Sequence, residues 1–211
     1  MNCHAGFGSI NNHLFYGVDR VLGIQSAQFI RASGESVSKN VTIHYRGRFL
    51  GLKQRDRWEY AFRTNASGVV ALVPVTDEGE LVLVEQYRIP VRCSVMELPA
   101  GLAGDTGDVN ESLRIAAQRE LLEETGYHAG FLEELLTGPS SAGLTDEVLT
   151  IFYARGLKKV GSGGGSGDEN IKVHNVPLQS AGEWLTARIA QGIMVDPKVY
   201  AGLFWAGMRH E

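Results

Sequence analysis

Apolar and polar positions follow more than one period along this chain, and each change of period marks an element. Three early runs, SAQFIRA, NVTIHYRG and RWEYAFRT, are short, rich in β-branched and aromatic residues, and read as strands. GVVALVPV (68–75) and ELVLVEQYR (80–88) flank the turn TDEG, which predicts a buried hairpin. VMEL follows. Residues 112–125 (SLRIAAQRELLEET) are good helix formers without Pro or Gly, with Leu113, Ala116, Ala117 and Leu121 on the apolar side. Asp108 and Glu111 read as a capping box before this helix, and Gly126 as its left-handed stop. EVLTIFYARG (147–156) predicts a buried strand, and IKVHNVPL predicts another. SAGEWLTARIAQG (180–192) predicts a helix capped by Ser180, and DPKVYAGLFWAGM (196–208) a last helix opened by Asp196 and Pro197.

Strands, a helix, two strands and two helices in this order predict an α+β fold, an α-β-α sandwich around a mixed sheet, with an N-terminal antiparallel β-region added. Residues 1–22 are rich in Gly and Asn and are expected to be partly disordered; 23–66 form the added β-region and 67–211 the main domain. GSGGGSGD (161–168) reads as a flexible loop.

Composition narrows the function. A net charge of −4 leaves no electrostatic footprint for nucleic acid. Two cysteines, Cys3 and Cys93, argue against a disulfide framework and suit a reducing compartment. No run is long and apolar enough for a membrane span, and the N-terminus lacks a signal-peptide pattern, so the cytoplasm is the expected location. The six histidines are scattered without zinc-site spacing, and His174 reads as structural.

The chemistry concentrates in RELLEETG, residues 119–126. On a helix Glu120, Glu123 and Glu124 stand at i, i+3 and i+4, on one face. They repel one another and oppose the helix dipole. Either they form a solvated acidic face with Arg114 and Arg119 as partners, or they hold a hard cation such as Mg²⁺, which takes oxygen ligands.

The wider stretch resembles the Nudix box, G-x5-E-x7-R-E-U-x-E-E-x-G-U, where U is a bulky apolar residue. Glu111, Arg119, Glu120, Leu121, Glu123, Glu124 and Gly126 match, and Tyr127 fills the last position. The leading Gly is replaced by Asp105; ELPAG (97–101) fits the usual lead-in, with Gly101 as the displaced glycine and about four extra residues in the loop. RWEYAFR, LVEQYRIPV, MELPAGL, PSSAGLTDEVLTIFYA, GDENIKV and VDPKVYAGLFWA further resemble the ADP-ribose (ADP-sugar) pyrophosphatase branch, from about residue 56 to 208.

The resemblance implies a Nudix fold and Mg²⁺-dependent hydrolysis, Mn²⁺ being an alternative metal. The ligands it implies are Glu120, Glu123, Glu124 and the Ala100 carbonyl, with Glu111 and Arg119 supporting them. Trp58 reads as core packing or as a platform for adenine. Glu59 and Arg63 lie on the same strand and are implied to bind substrate, Arg63 reading as a sheet-edge charge or as a phosphate or base contact. Arg88 reads as a strand end or a grip on ribose or phosphate, and Glu97 as structural or substrate-touching. Glu147 caps a strand or helps with metal or substrate. Glu169 reads as a solvated loop acid or, on a mobile loop, as the catalytic base that arrives on closure, with Asp168 the neighbouring alternative. Together these imply cleavage of ADP-ribose to AMP and ribose 5-phosphate by a cytoplasmic homodimer that acts on small nucleotide sugars. Hydrolysis of GDP-mannose, other sugar nucleotides or dinucleoside polyphosphates is the alternative, as is a non-catalytic nucleotide-sugar sensor.

Overall fold

The computed structural model describes residues 40–165, 167 and 169–209. The expected disordered segment and the SAQFIRA strand lie outside these residues.

Three strands, β1 (Val41–Arg46), β2 (Leu50–Arg55) and β3 (Trp58–Arg63), form an antiparallel sheet. The pattern predicted β1 and β3 but not β2. LGLKQR has weak strand propensity, and what holds it is a neighbour on each edge. This sheet meets the rest of the chain through the loop before residue 148. There Ala61 donates its N–H to the Leu144 carbonyl (2.8 Å) and accepts from the Asp146 N–H (3.3 Å).

The central sheet runs β7 (Ala100–Ala103), β4 (Gly68–Pro74), β9 (Val148–Lys159), β8 (Tyr127–Pro139), with β4 and β9 parallel. A second mixed sheet runs β10 (Lys172–Pro177), β5 (Glu80–Arg88), β6 (Cys93–Glu97), β11 (Met194–Val195). The predicted 68–88 hairpin is therefore corrected. β4 and β5 meet at a bridge between Val75 and Leu81 but belong to different sheets. Both strands are buried on both faces, so their apolar run does not disclose a pairing partner. β8 was not predicted: its alternation is broken by a register shift between Glu134 and Leu136.

Period-two alternation inside these strands divides two cores. Val70, Leu72, Phe152 and Ala154 face α1 (Leu113–Thr125), where they pack on Ala116, Ala117 and Leu121. Ala71, Val73, Ile151 and Tyr153 face the second sheet, with Leu83 and Met96. The same core takes Leu185 of α2 (Ala181–Ala190) and Val199 and Ala206 of α3 (Pro197–Gly207). This is the predicted α-β-α sandwich.

The caps were read in part. Gly126 ends α1 with φ 72°, and Asp196 caps α3 by accepting the Lys198 N–H at 2.7 Å. The cap of α1 is Ser112, not the Asp108–Glu111 box: its hydroxyl accepts the Ile115 N–H at 3.3 Å. Asp108 instead closes its own turn onto the Asn110 N–H. Ser180 makes no side-chain cap bond to α2.

Candidate active site

The α1 helix lays its acidic face along β7. Glu120 and Glu124 are 8% and 5% exposed, so the solvated-face reading does not hold for them. Gly101 is the seat of Glu120: a Cβ built there would lie 1.9 Å from the Glu120 carboxyl carbon. The displaced glycine of the lead-in is thus required by close approach.

Arg119 organises the group. Its Nε and one terminal nitrogen grip both oxygens of Glu111 at 2.9 and 3.1 Å. The other terminal nitrogen donates to Glu120 at 2.7 Å and to Glu123 at 3.3 Å. The terminal nitrogen that grips Glu111 also donates to the Leu102 carbonyl and to Asp105, tying down the loop that carries the extra residues. Glu111 accepts the Gly104 N–H at 3.0 Å. Arg119 thus joins Glu111, from the loop before α1, to Glu120 and Glu123 on the helix.

The electrostatics follow from burial. Desolvation pushes Glu124 up to about 8, against an opposing Ala100 N–H bond, with the charges of Glu120 and Glu169 adding to the rise. Desolvation likewise raises Glu120 to about 7, against the pull of Arg119. Glu111, by contrast, is held below the usual carboxylate range by its bonds from Arg119. Two oxygen donors whose charge burial opposes, beside a third at Glu123, suit a hard divalent cation. Among the described residues, no three His, Cys, Asp or Glu side chains converge on one ion position. Arg119 lies between Glu120 and Glu123, and Ala100 holds Glu124. The Ala100 N–H donates to Glu124 Oε2 at 3.0 Å.

Arg88 and Glu97 join this group. Arg88 donates to Glu97 at 2.7 Å, and its charge lowers Glu124. Glu169 stands close enough to Glu124 to raise it.

Trp58 and Glu59 stand at one end of β3 and Arg63 at the other, facing Glu147. Trp58 is 57% exposed, which overturns the core-packing reading, and its indole N–H donates to the Gly143 carbonyl at 3.3 Å. Glu59 is exposed near His44. Arg63 is ion-paired with Glu147. Both line a cleft of about 290 Å³ with Lys53, Phe62 and Ser67. Lys53, paired with Asp146, was missed because β2 was missed. His174 is structural as expected: it bonds Glu85 at 3.0 Å and meets the Trp184 ring edge-on.

Part of the glycine loop is bonded to the end of α1. Gly164 and Gly165 donate their N–H groups to the carbonyls of Glu124 (2.9 Å) and Glu123 (3.0 Å). Composition alone conceals this, because a glycine run serves a linker and a close backbone contact equally well.

Residues 66–194, more than half of the chain, match the family model of the Nudix domain. The chain belongs to the Nudix family. Among its Nudix relatives, the methanol dehydrogenase activator of Bacillus methanolicus is 37% identical over 56% of this chain and 62% of its own. The ADP-ribose pyrophosphatase of Bacillus subtilis is 36% identical over 54% of this chain and 60% of its own. This Nudix chain thus spans less than two thirds of either relative. The GDP-mannose pyrophosphatase of Yersinia pestis is 29% identical over 66% of this chain and 70% of its own. A crystal structure of an ADP compounds hydrolase shares the fold, with a TM-score of 0.60 and 23% identity over 79% of this chain and 89% of that one.

Proposed function

We propose that this chain is a divalent-cation-dependent pyrophosphohydrolase of nucleoside diphosphate sugars, with ADP-ribose as substrate and AMP and ribose 5-phosphate as products. The observation that carries the reading is the pair of buried carboxylates, Glu120 and Glu124, seated on β7 beside Arg88 and Glu169. Mg²⁺, or Mn²⁺ in its place, held by Glu120, Glu123 and Glu124, would neutralise diphosphate charge and acidify a water.

The chain's own groups do the rest. Glu169 takes the proton of the attacking water. A P–O bond forms from that water as the bridging P–O bond breaks, and the bridging oxygen leaves as part of a phosphate monoester. Arg88 faces the substrate as a charged donor of paired hydrogen bonds. Arg119 and Glu111 hold the glutamates in place. Arg63, Glu147 and Trp58 bind the nucleotide end from the three-stranded sheet. For Glu147 this role is chosen over metal binding, because its partner is Arg63.

The choice of ADP-ribose is supported by the 36% identity to the B. subtilis enzyme, against 29% for the GDP-mannose enzyme. The protein is taken to work as a cytoplasmic homodimer. Val41, Ile43, Tyr45 and Leu50 stand exposed on the N-terminal sheet and supply apolar surface for a second copy. Among the described residues no helix is long and apolar enough to cross a membrane.

The test is product formation from ADP-ribose with Mg²⁺, with an EDTA control and GDP-mannose run alongside. AMP and ribose 5-phosphate appearing only with metal is the expected result. Turnover of GDP-mannose alone would overturn the adenine role of Trp58, and binding without turnover would favour a sensor.

A further inference from the structure

The last four carbonyls of α1 each have a specific donor. Leu122 accepts the Gly126 N–H, Glu123 the Gly165 N–H, Glu124 the Gly164 N–H, and Thr125 the Lys159 ammonium. The last four carbonyls of a helix have no partner within the helix itself and must find one outside it. This end also carries two glutamates that oppose the helix dipole, and donors placed there offset both effects. The Lys159 ammonium lies 4.6 Å from the centroid of the Tyr127 ring, which holds it over the helix end.

The contact is backbone against backbone. Gly163 has φ 68°, and a Cβ built there would lie 2.5 Å from the Thr125 carbonyl carbon and 2.7 Å from the Glu124 carbonyl oxygen. Neither atom can swing aside. Gly164 also accepts the Ile171 N–H at 3.2 Å, which closes the loop on itself. Inside that closed turn the Glu169 side chain lies over Gly165, where an added Cβ would stand 2.6 Å from Glu169 Oε2.

We propose that Gly163, Gly164, Gly165 and Lys159 are positioning residues that fasten Glu169 to the last turn of α1, so that the proton-accepting acid and the cation-holding glutamates are set as one unit. This rests on the function proposed above for Glu169 and Glu124. It replaces arrival of the base from a free loop by a preset distance between the base and the helix.

Gly163→Ala is compared with Gly167→Ala. Gly167 has a similar φ of 63° but nothing within 4 Å of an added Cβ, so both variants bear the backbone strain and only the first bears the clash. Gly163→Ala is expected to lower kcat for ADP-ribose by about a hundredfold, with KM within about threefold. It should also weaken Mn²⁺ binding and speed amide exchange at Gly164 and Gly165. Gly167→Ala should do none of these. If Gly163→Ala does not fold, Lys159→Met carries the test: kcat should fall, and Lys159→Arg should restore it. Equal losses in the two glycine variants, or Lys159→Met with unchanged kcat and Mn²⁺ affinity, would overturn the proposal. Failure of the wild type on ADP-ribose would sink the functional reading alone, since Mn²⁺ affinity and amide exchange still judge the clamp.

Discussion

Glu120 and Glu124 are the residues whose ionisation costs most, because burial opposes their charge. Their pKa values of about 7 and about 8 lie above the ordinary 4.5, so the native state binds more protons than the unfolded chain between these limits. Their contribution is thus fully favourable below about pH 4.5 and is lost as pH rises through about 8. In EDTA, calorimetry of the wild type should show a melting temperature that falls from pH 5 to 8 more steeply than in Glu120→Gln/Glu124→Gln. Added Mg²⁺ should restore stability to the wild type at pH 8. Equal pH slopes in the two proteins would show that burial does not perturb these carboxylates. Gly101→Ala tests the seat of Glu120. The added methyl should cost about 1–3 kcal/mol in denaturant unfolding and weaken Mn²⁺ binding. Unchanged metal affinity would separate the glycine from the site.

At the scale of elements, α1 combines a packed face with a charged one. Leu121 is fully buried against the central sheet, and Leu121→Ala should destabilise by about 2–5 kcal/mol, read as a lower urea midpoint. A loss under about 1 kcal/mol would contradict the packing described. This helix was legible from its letters because helix formers, apolar spacing, glutamates and Gly126 agree along a short span. The central strands were legible as strands and not as a sheet. β4 and β5 are adjacent in sequence and each carries a continuous apolar run, yet β4 takes β7 and β9 as neighbours instead. The pairing is settled by contacts far apart in the chain.

At the scale of the whole molecule, the site residues read from sequence stand in separate places. The α1 group sits on the central sheet, Arg63 and Glu147 line the cleft beside the N-terminal sheet, and Trp58 stands at the far end of β3. The box was legible because its spacing is local. The cleft was legible only in part, because Lys53 belongs to a strand that pairing creates and propensity does not announce. A homodimer built on the N-terminal sheet should dissociate when its exposed apolar face is charged. Tyr45→Glu with Leu50→Lys should shift sedimentation from dimer to monomer; a wild-type monomer would rule out that assembly. The most direct test of the central claim is steady-state hydrolysis of ADP-ribose in Mg²⁺ by the wild type and by Glu120→Gln/Glu124→Gln. Loss of more than about a hundredfold in kcat with the fold intact is predicted, since supporting residues alone are worth about 10–100-fold. Turnover left intact in the double variant would contradict the assignment of these carboxylates as the reactive centre.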